Sequence, residues 1–281
     1  MLQKSQEYDK MGLDFRRRIG YNKEKDGESM KIIASDYDGT LNRRGIPDHV
    51  RAAILKWQAL GNRFGIVSGR GIYNLLSVVR RDNMACDYLI GNNGAVLADG
   101  EGNIISYHVG DASVSGEIAT FVIENGGGYA CLNDLKGDLF LCSEEEKKRR
   151  ADDGRFCAIS DYLTPIAFTQ ISTVCPSEEE AESLTQRINS RFSDHVTAFR
   201  NGICIDIVPK GIDKAEGIKE LAALWGVSYE DICTVGDNYN DVAMLKAYRS
   251  YAVANAVEEV KSIANTVVTD IGDLIERELA L

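Results

Sequence analysis

The chain has 281 residues, 44% hydrophobic and 27% charged, with a formal net charge of −11. That is the composition of a soluble globular protein, long enough for one large domain or two smaller ones, and the acidic balance argues against a nucleic-acid surface or an anionic membrane as partner. No stretch is apolar enough to span a bilayer, no secretory signal is read, and seven scattered cysteines without metal-ligand spacing read as reduced thiols; a cytoplasmic location is expected.

Residues 1–29 are polar, carry three arginines at 16–18 and lack sustained periodicity. They read as an N-terminal extension, disordered or loosely docked, or as sequence upstream of a start at Met30. Ile32, Ile33 and Ala34 then form a short apolar run, as in a strand buried on both faces of a parallel sheet. The run ends in Asp36 and Asp38, followed by Gly39 and Thr40. Aspartate is a poor strand residue, so both carboxylates should lie just past the strand's carboxyl end, where open α/β sheets bind ligands. Two aspartates so close repel unless a cation or a shared proton sits between them. Asp-x-Asp-Gly also occurs in plain turns and in calcium loops, but Leu41, Asn42, Arg43 and Arg44 follow here instead of further alternating ligands and a closing glutamate.

Pro47 and Asp48 open a helix with Val50, Ala53, Ile54 and Trp57 on one stripe, stopped by Gly61. Residues 63–67 read as a second buried strand ending in Ser68, Gly69, Arg70 and Gly71; a helix through Arg80 and a strand at 88–90 follow. Strand–helix–strand alternation of this kind predicts a parallel sheet covered by helices. Gly91, Asn92, Asn93 and Gly94 interrupt it, and 95–208 has the texture of hairpins, with one helix over 177–191 and a hairpin tipped by Asn201 and Gly202. This predicts an α+β insert over 92–208 in a core made of 30–91 and 209–281. The alternation resumes with a helix over 213–224, a strand over 231–235 ending in Gly236, Asp237, Asn238, Tyr239, Asn240 and Asp241, two short strands and a closing helix from 271.

Four polar groups therefore fall at strand ends or a helix start in the alternating part: Asp36 with Asp38, Ser68, Lys214, and Asp237 with Asp241. On neighbouring parallel strands they would meet at one sheet edge, at a topological switch point. Four carboxylates, a hydroxyl and an ammonium suit Mg²⁺ held partly by substrate phosphate, donors for phosphoryl oxygens, and a carboxylate nucleophile. The chemistry indicated is phosphoryl transfer.

The same residues carry a resemblance. Asp36, Tyr37, Asp38, Gly39 and Thr40, then Ser68 before Gly69 and Arg70, then Lys214 after Gly211, Ile212 and Asp213, then Gly236, Asp237, Asn240 and Asp241, are similar in order and spacing to the four motifs of haloacid-dehalogenase-superfamily phosphatases, in particular the Cof-type (class IIB) branch. The resemblance covers roughly residues 30–270 and implies a Rossmann-like parallel-sheet core with helices on both faces and an inserted C2-type cap. It implies Asp36 as nucleophile, Asp38 as acid and then base, and Lys214 balancing charge near Asp36. Thr40, Ser68, the Gly39 and Gly69 amides and Asn240 would contact phosphate. Mg²⁺ would be held by Asp36, the Asp38 carbonyl and Asp237, with Asp241 in support. An acid role requires a carboxyl protonated near neutral pH, which crowding of carboxylates favours. Lys210 competes for the lysine role; Lys214 fits the motif and opens a helix.

Asn92 and Asn93 read equally as a hinge turn or as substrate contacts, and Arg200 as a cap residue that sets specificity. The three histidines are dispersed and receive no role. The expected function is Mg²⁺-dependent hydrolysis of a small phosphorylated metabolite, a sugar phosphate or a phosphorylated cofactor, through an aspartyl phosphate. A phosphomutase would use the same residues, and a non-catalytic binder of a phosphate ligand would show low turnover with tight binding. A phosphorylated signalling receiver shares some groups but lacks the Asp-x-Asp pair and the large insert. Substrate identity and oligomeric state are not readable from the chain.

Overall fold

The computed structural model describes residues 30–162 and 164–281; the extension expected at 1–29 lies outside the described residues. The first part of the chain supplies β1 (Ile32–Ser35), β2 (Arg63–Val67), β3 (Tyr88–Gly91), β4 (Val96–Asp99) and β5 (Ile104–Tyr107). The middle supplies β6 (Ala130–Asp134), β7 (Gly137–Cys142), β8 (Phe156–Ala158), β9 (Gln170–Val174), β10 (Val196–Asn201) and β11 (Cys204–Pro209). The last part supplies β12 (Ile232–Gly236), β13 (Arg249–Val253) and β14 (Thr266–Val268).

The apolar run at Ile32 is the central strand because nothing in it objects to burial on both faces: every residue of β1 is buried. It pairs in parallel with β2 on one side and β12 on the other, in a sheet of order β14-β13-β12-β1-β2-β3-β4-β5. From β1 the chain moves outward to β2 and β3, and later returns on the opposite side through β12, β13 and β14. The strand order therefore reverses beside β1, which opens a crevice at the carboxyl ends of β1 and β12.

Helices flank this sheet, as an α/β fold requires. Asp48–Ala59 packs against Ile271–Leu279, and Lys214–Trp225 against Val242–Ala247. Trp57 and Trp225 are fully buried on their helix stripes. Trp225 meets the Tyr88 ring edge-on at 5.3 Å, and the Tyr88 hydroxyl donates to the Ile33 carbonyl at 2.9 Å. Cutting back either tryptophan to alanine would cost about 3–5 kcal/mol.

A second sheet of order β10-β11-β9-β6-β7-β8 carries its own apolar cluster, with Ile118, Leu132, Ile171, Leu184 and Ile205 fully or almost fully buried. Helices Ala112–Glu124 and Glu178–Arg191 supply its other layer. The sequence places the start of the insert at 92, but β4 and β5 belong to the first sheet, where β4 pairs antiparallel with β3. The reason is local. Asn92, Asn93 and Gly94 take φ of 53°, 49° and 104°, a left-handed run that asparagine and glycine tolerate best, and it folds β4 straight back onto β3. Gly94 has a further constraint, since a Cβ there would lie 2.0 Å from the Asp213 carbonyl oxygen.

Among the described residues no helix is long and apolar enough to cross a membrane.

Candidate active site

At the end of β1 the Asp36 amide donates to the Val235 carbonyl at 2.9 Å, so the last sheet bond between β1 and β12 aims the loop over the switch point. Tyr37 turns into the core at 1% exposure, its hydroxyl bonded to Asp82, and the residues on either side of it, Asp36 and Asp38, line one cavity. Asp36 is buried and Asp38 exposed. Gly39 takes φ +87°, and a Cβ there would lie 2.4 Å from Asp237 Oδ2; the close approach of this loop to the one after β12 demands glycine.

Lys214 opens the helix Lys214–Trp225, whose first turn is capped by Asp213 accepting from the Glu216 amide. Its ammonium is 1% exposed and donates to Asp36 Oδ1 at 2.7 Å and to Asp241 Oδ1 at 2.6 Å. Lys210, the competing lysine, is exposed. Asp241 spends its other oxygen on the amides of Asp237 and Asn238, at 2.8 and 3.0 Å, and so shapes the loop after β12. Asp237 accepts from the Thr40 hydroxyl at 2.6 Å, which leaves Thr40 turned to the carboxylate rather than into the cavity.

One carboxylate oxygen from each of Asp36, Asp237 and Asp241 lies within 4.8 Å of the others. Burial, opposed by Lys214 and reinforced by Asp241 and Asp237, holds the Asp36 carboxyl well above the usual carboxylate range. Burial likewise pushes Asp237 up to about 6, against the Thr40 hydrogen bond. Burial also opposes the Lys214 charge, but Asp241 and Asp36 outweigh it and raise the ammonium above its ordinary value. With all three carboxylates ionised, the one ammonium leaves an excess of two negative charges in a largely buried site. A divalent cation with oxygen ligands fits that donor set and that charge.

Ser68, at the end of β2, is 2% exposed, and Ser68, Gly69 and Asn240 line the same cavity as Asp36. A Cβ on Gly69 would lie 2.7 Å from Asp206 Oδ2. Asn92 lines the cavity but its side chain is spent on structure: its Oδ1 accepts from the Ile72 amide at 2.9 Å and its Nδ2 donates to Thr169. Asn93 donates to Asp206 Oδ2 at 2.9 Å and to Gln170, tying the turn after β3 to the second sheet. Arg200 corrects the sequence reading. It pairs with Glu178 and Glu182, lies over the Tyr239 ring and does not line the cavity, because these two glutamates on a neighbouring helix draw its guanidinium away.

Several cavity residues were not singled out from sequence. Arg70 grips Asp38 through both carboxylate oxygens, Nε to Oδ2 at 2.6 Å and Nη2 to Oδ1 at 2.8 Å. Asp206, Gln170 and Asn133 face the cavity from the second sheet. One signal was present: Asp206 interrupts the apolar strand residues Ile205 and Ile207, and a carboxylate there needs a partner. Asn255, also unflagged, donates to the Gly39 carbonyl at 2.8 Å.

An open, mostly parallel sheet with clustered carboxylates and a buried lysine at its switch point defines a hydrolase or transferase working on an anionic ester. The profile of the haloacid dehalogenase-like hydrolases matches residues 33–273, and the chain belongs to that family. It is an enzyme of the phosphatase kind. It is 28% identical to phosphoglycolate phosphatase of Methanosarcina mazei over 84% of this chain and 89% of that protein. It is 23% identical to the 5-amino-6-(5-phospho-D-ribitylamino)uracil phosphatase YbjI of Escherichia coli, over 84% and 89%. The solved structure of BT4131, a sugar phosphatase of subclass IIB, superposes with a TM-score of 0.69 at 23% identity, covering 89% of this chain and 98% of that one.

Proposed function

We propose that this chain is a Mg²⁺-dependent phosphatase that hydrolyses a small phosphorylated metabolite through an aspartyl phosphate on Asp36. The observation that carries this reading is the junction at the end of β1: a buried carboxylate faces an open cavity, backed by Lys214 and two further aspartates. The Asp36 oxygen attacks phosphorus as the bond to the leaving oxygen breaks, and Asp38, once its carboxyl is released from Arg70 and carries a proton, gives that proton to the leaving oxygen. Asp38 then takes a proton from the water that attacks the aspartyl phosphate, releasing phosphate and restoring Asp36. Ser68 and Asn240 hold phosphoryl oxygens at the cavity wall, and Lys214 keeps Asp36 placed and charge-balanced. Mg²⁺ would be held by Asp36, Asp237 and the Asp38 carbonyl, with Asp241 in support, and would neutralise charge on the phosphoryl oxygens. The second sheet acts as a cap: Gln170 donates to the Gly69 carbonyl at 2.9 Å and Asn201 accepts from Asn238 at 2.9 Å, so its strand ends sit over both phosphate-side loops.

Phosphate release from a panel of phosphorylated metabolites, with and without Mg²⁺, tests this. Release that needs Mg²⁺ and disappears in a folded Asp36→Asn variant is expected. Activity retained in that variant sinks the nucleophile assignment, and phosphate passed between sugar hydroxyls without release replaces hydrolysis with a mutase.

A further inference from the structure

The cavity in front of Asp36 has a volume of about 410 Å³, and its far wall is built from the second sheet. That wall carries three carboxylates, Asp134, Asp138 and Asp206, beside the buried amides Asn133 and Gln170. Among the described residues lining the cavity, Arg70 is the one cationic side chain. Its guanidinium is already committed, by two bonds to Asp38 and one to Asn74 at 2.7 Å. Lys214 lies beneath Asp36, outside the lining, between Asp36 and Asp241.

Asp206 already accepts on both oxygens, from Asn93 on one and from Gln170 and Ser172 on the other, whereas Asp134 and Asp138 keep acceptor capacity. Asp138 Oδ1 accepts from Asn133 at 2.8 Å, and Asp134 Oδ1 from the amides of Lys136 and Gly137. Among the described residues the second oxygen of each accepts no hydrogen bond. With phosphate docked at Asp36, the remainder of the substrate must extend against this wall. A carboxylate or a second phosphate there would meet like charge and lose its hydration, with no free cation among the described lining residues to replace it. An ammonium would meet half-buried Asp134 and exposed Asp138, each with one carboxylate oxygen unused.

From this we infer that the cavity selects phosphomonoesters by the charge of the leaving group: an ammonium-bearing leaving group is preferred over a neutral polyol, and one bearing a carboxylate is rejected. The inference rests on the phosphatase reading and narrows its substrate class to amino-sugar and amino-alcohol phosphates. An ion pair in a half-enclosed cavity lies between the small value of an exposed pair and the large value of a dry one, so each step in the series should be worth about tenfold.

The test is a pyranose series of glucosamine 1-phosphate, glucose 1-phosphate and glucuronic acid 1-phosphate, measured as competitors of p-nitrophenyl phosphate hydrolysis and as substrates. The expected order of affinity and of kcat/KM is amine, neutral, carboxylate, and Asp138→Asn should shrink the amine-to-neutral ratio several-fold. A ratio of two ligands on one protein sample is unmoved by partial misfolding. Should p-nitrophenyl phosphate be hydrolysed while the series is flat or reversed, or the ratio survive in both Asp138→Asn and Asp134→Asn, the charge selection is wrong and the phosphatase stands. Absence of any hydrolysis, p-nitrophenyl phosphate included, overturns both.

Discussion

Replacing Lys214 by methionine removes the one ammonium from a buried site while keeping most of the side chain's volume. Its two partners, Asp36 at 2.7 Å and Asp241 at 2.6 Å, are 5% and 0% exposed, so little water reaches the position it leaves. Removing one partner of a buried ion pair costs about 3–5 kcal/mol, because a desolvated charge is left behind. With a melting shift of about 2–4 °C per kcal/mol for a chain of this size, the variant should melt roughly 6–20 °C below the parent in EDTA at pH 8. The pH dependence has a definite sign. The folded chain holds the Asp36 proton more tightly than the unfolded chain does, so ionisation of Asp36 opposes folding. That cost is absent below the ordinary carboxylate range, grows as pH rises, and is complete above the raised value. Lys214 offsets it, so the deficit of the variant should widen from pH 5 to pH 8 and narrow when Mg²⁺ is added. Scanning calorimetry at those pH values, with and without Mg²⁺, measures it. A variant melting within about 2 °C of the parent at pH 8 in EDTA would refute the claim that the cluster is short of positive charge.

Gly39→Ala should cut turnover by about a hundredfold or more and weaken the Mg²⁺ dependence, since the new methyl can be accommodated only by displacing Asp237; a Mg²⁺ titration of kcat checks both. Asp206 is pushed up to about 6 by burial, opposed by its bonds from Asn93 and Ser172. Its raised value means that ionisation opposes folding, a cost that appears between about pH 4 and pH 6 and is constant above. The urea midpoint of Asp206→Asn relative to the parent should therefore shift in the variant's favour across that window, and a pH-independent difference would contradict the assignment.

The site's main elements were legible because their chemistry is local. Asp36, Ser68 and Asp237 each follow a short, largely apolar buried strand, so their places at strand ends follow from the pattern of burial. Lys214 was readable as a helix start behind a capping aspartate, and two-sheet organisation from the change of texture after Gly94. Arg200 went astray because an arginine at a hairpin tip has no local rule to say which partner claims it; Glu178 and Glu182, on a helix adjacent only in space, do.

What the sequence determined by itself is the alternation that builds the parallel sheet, the strand-end carboxylates, and hence the chemistry, because side-chain periodicity and propensity act over a few residues. Tertiary structure alone decided that β4 and β5 extend the first sheet, that Arg70 grips Asp38, that Thr40 serves Asp237, and that Asp134, Asp138 and Asp206 form the wall facing Asp36. Those pairings join residues distant in the chain, and their energies come from charge and desolvation across space, which no local pattern records.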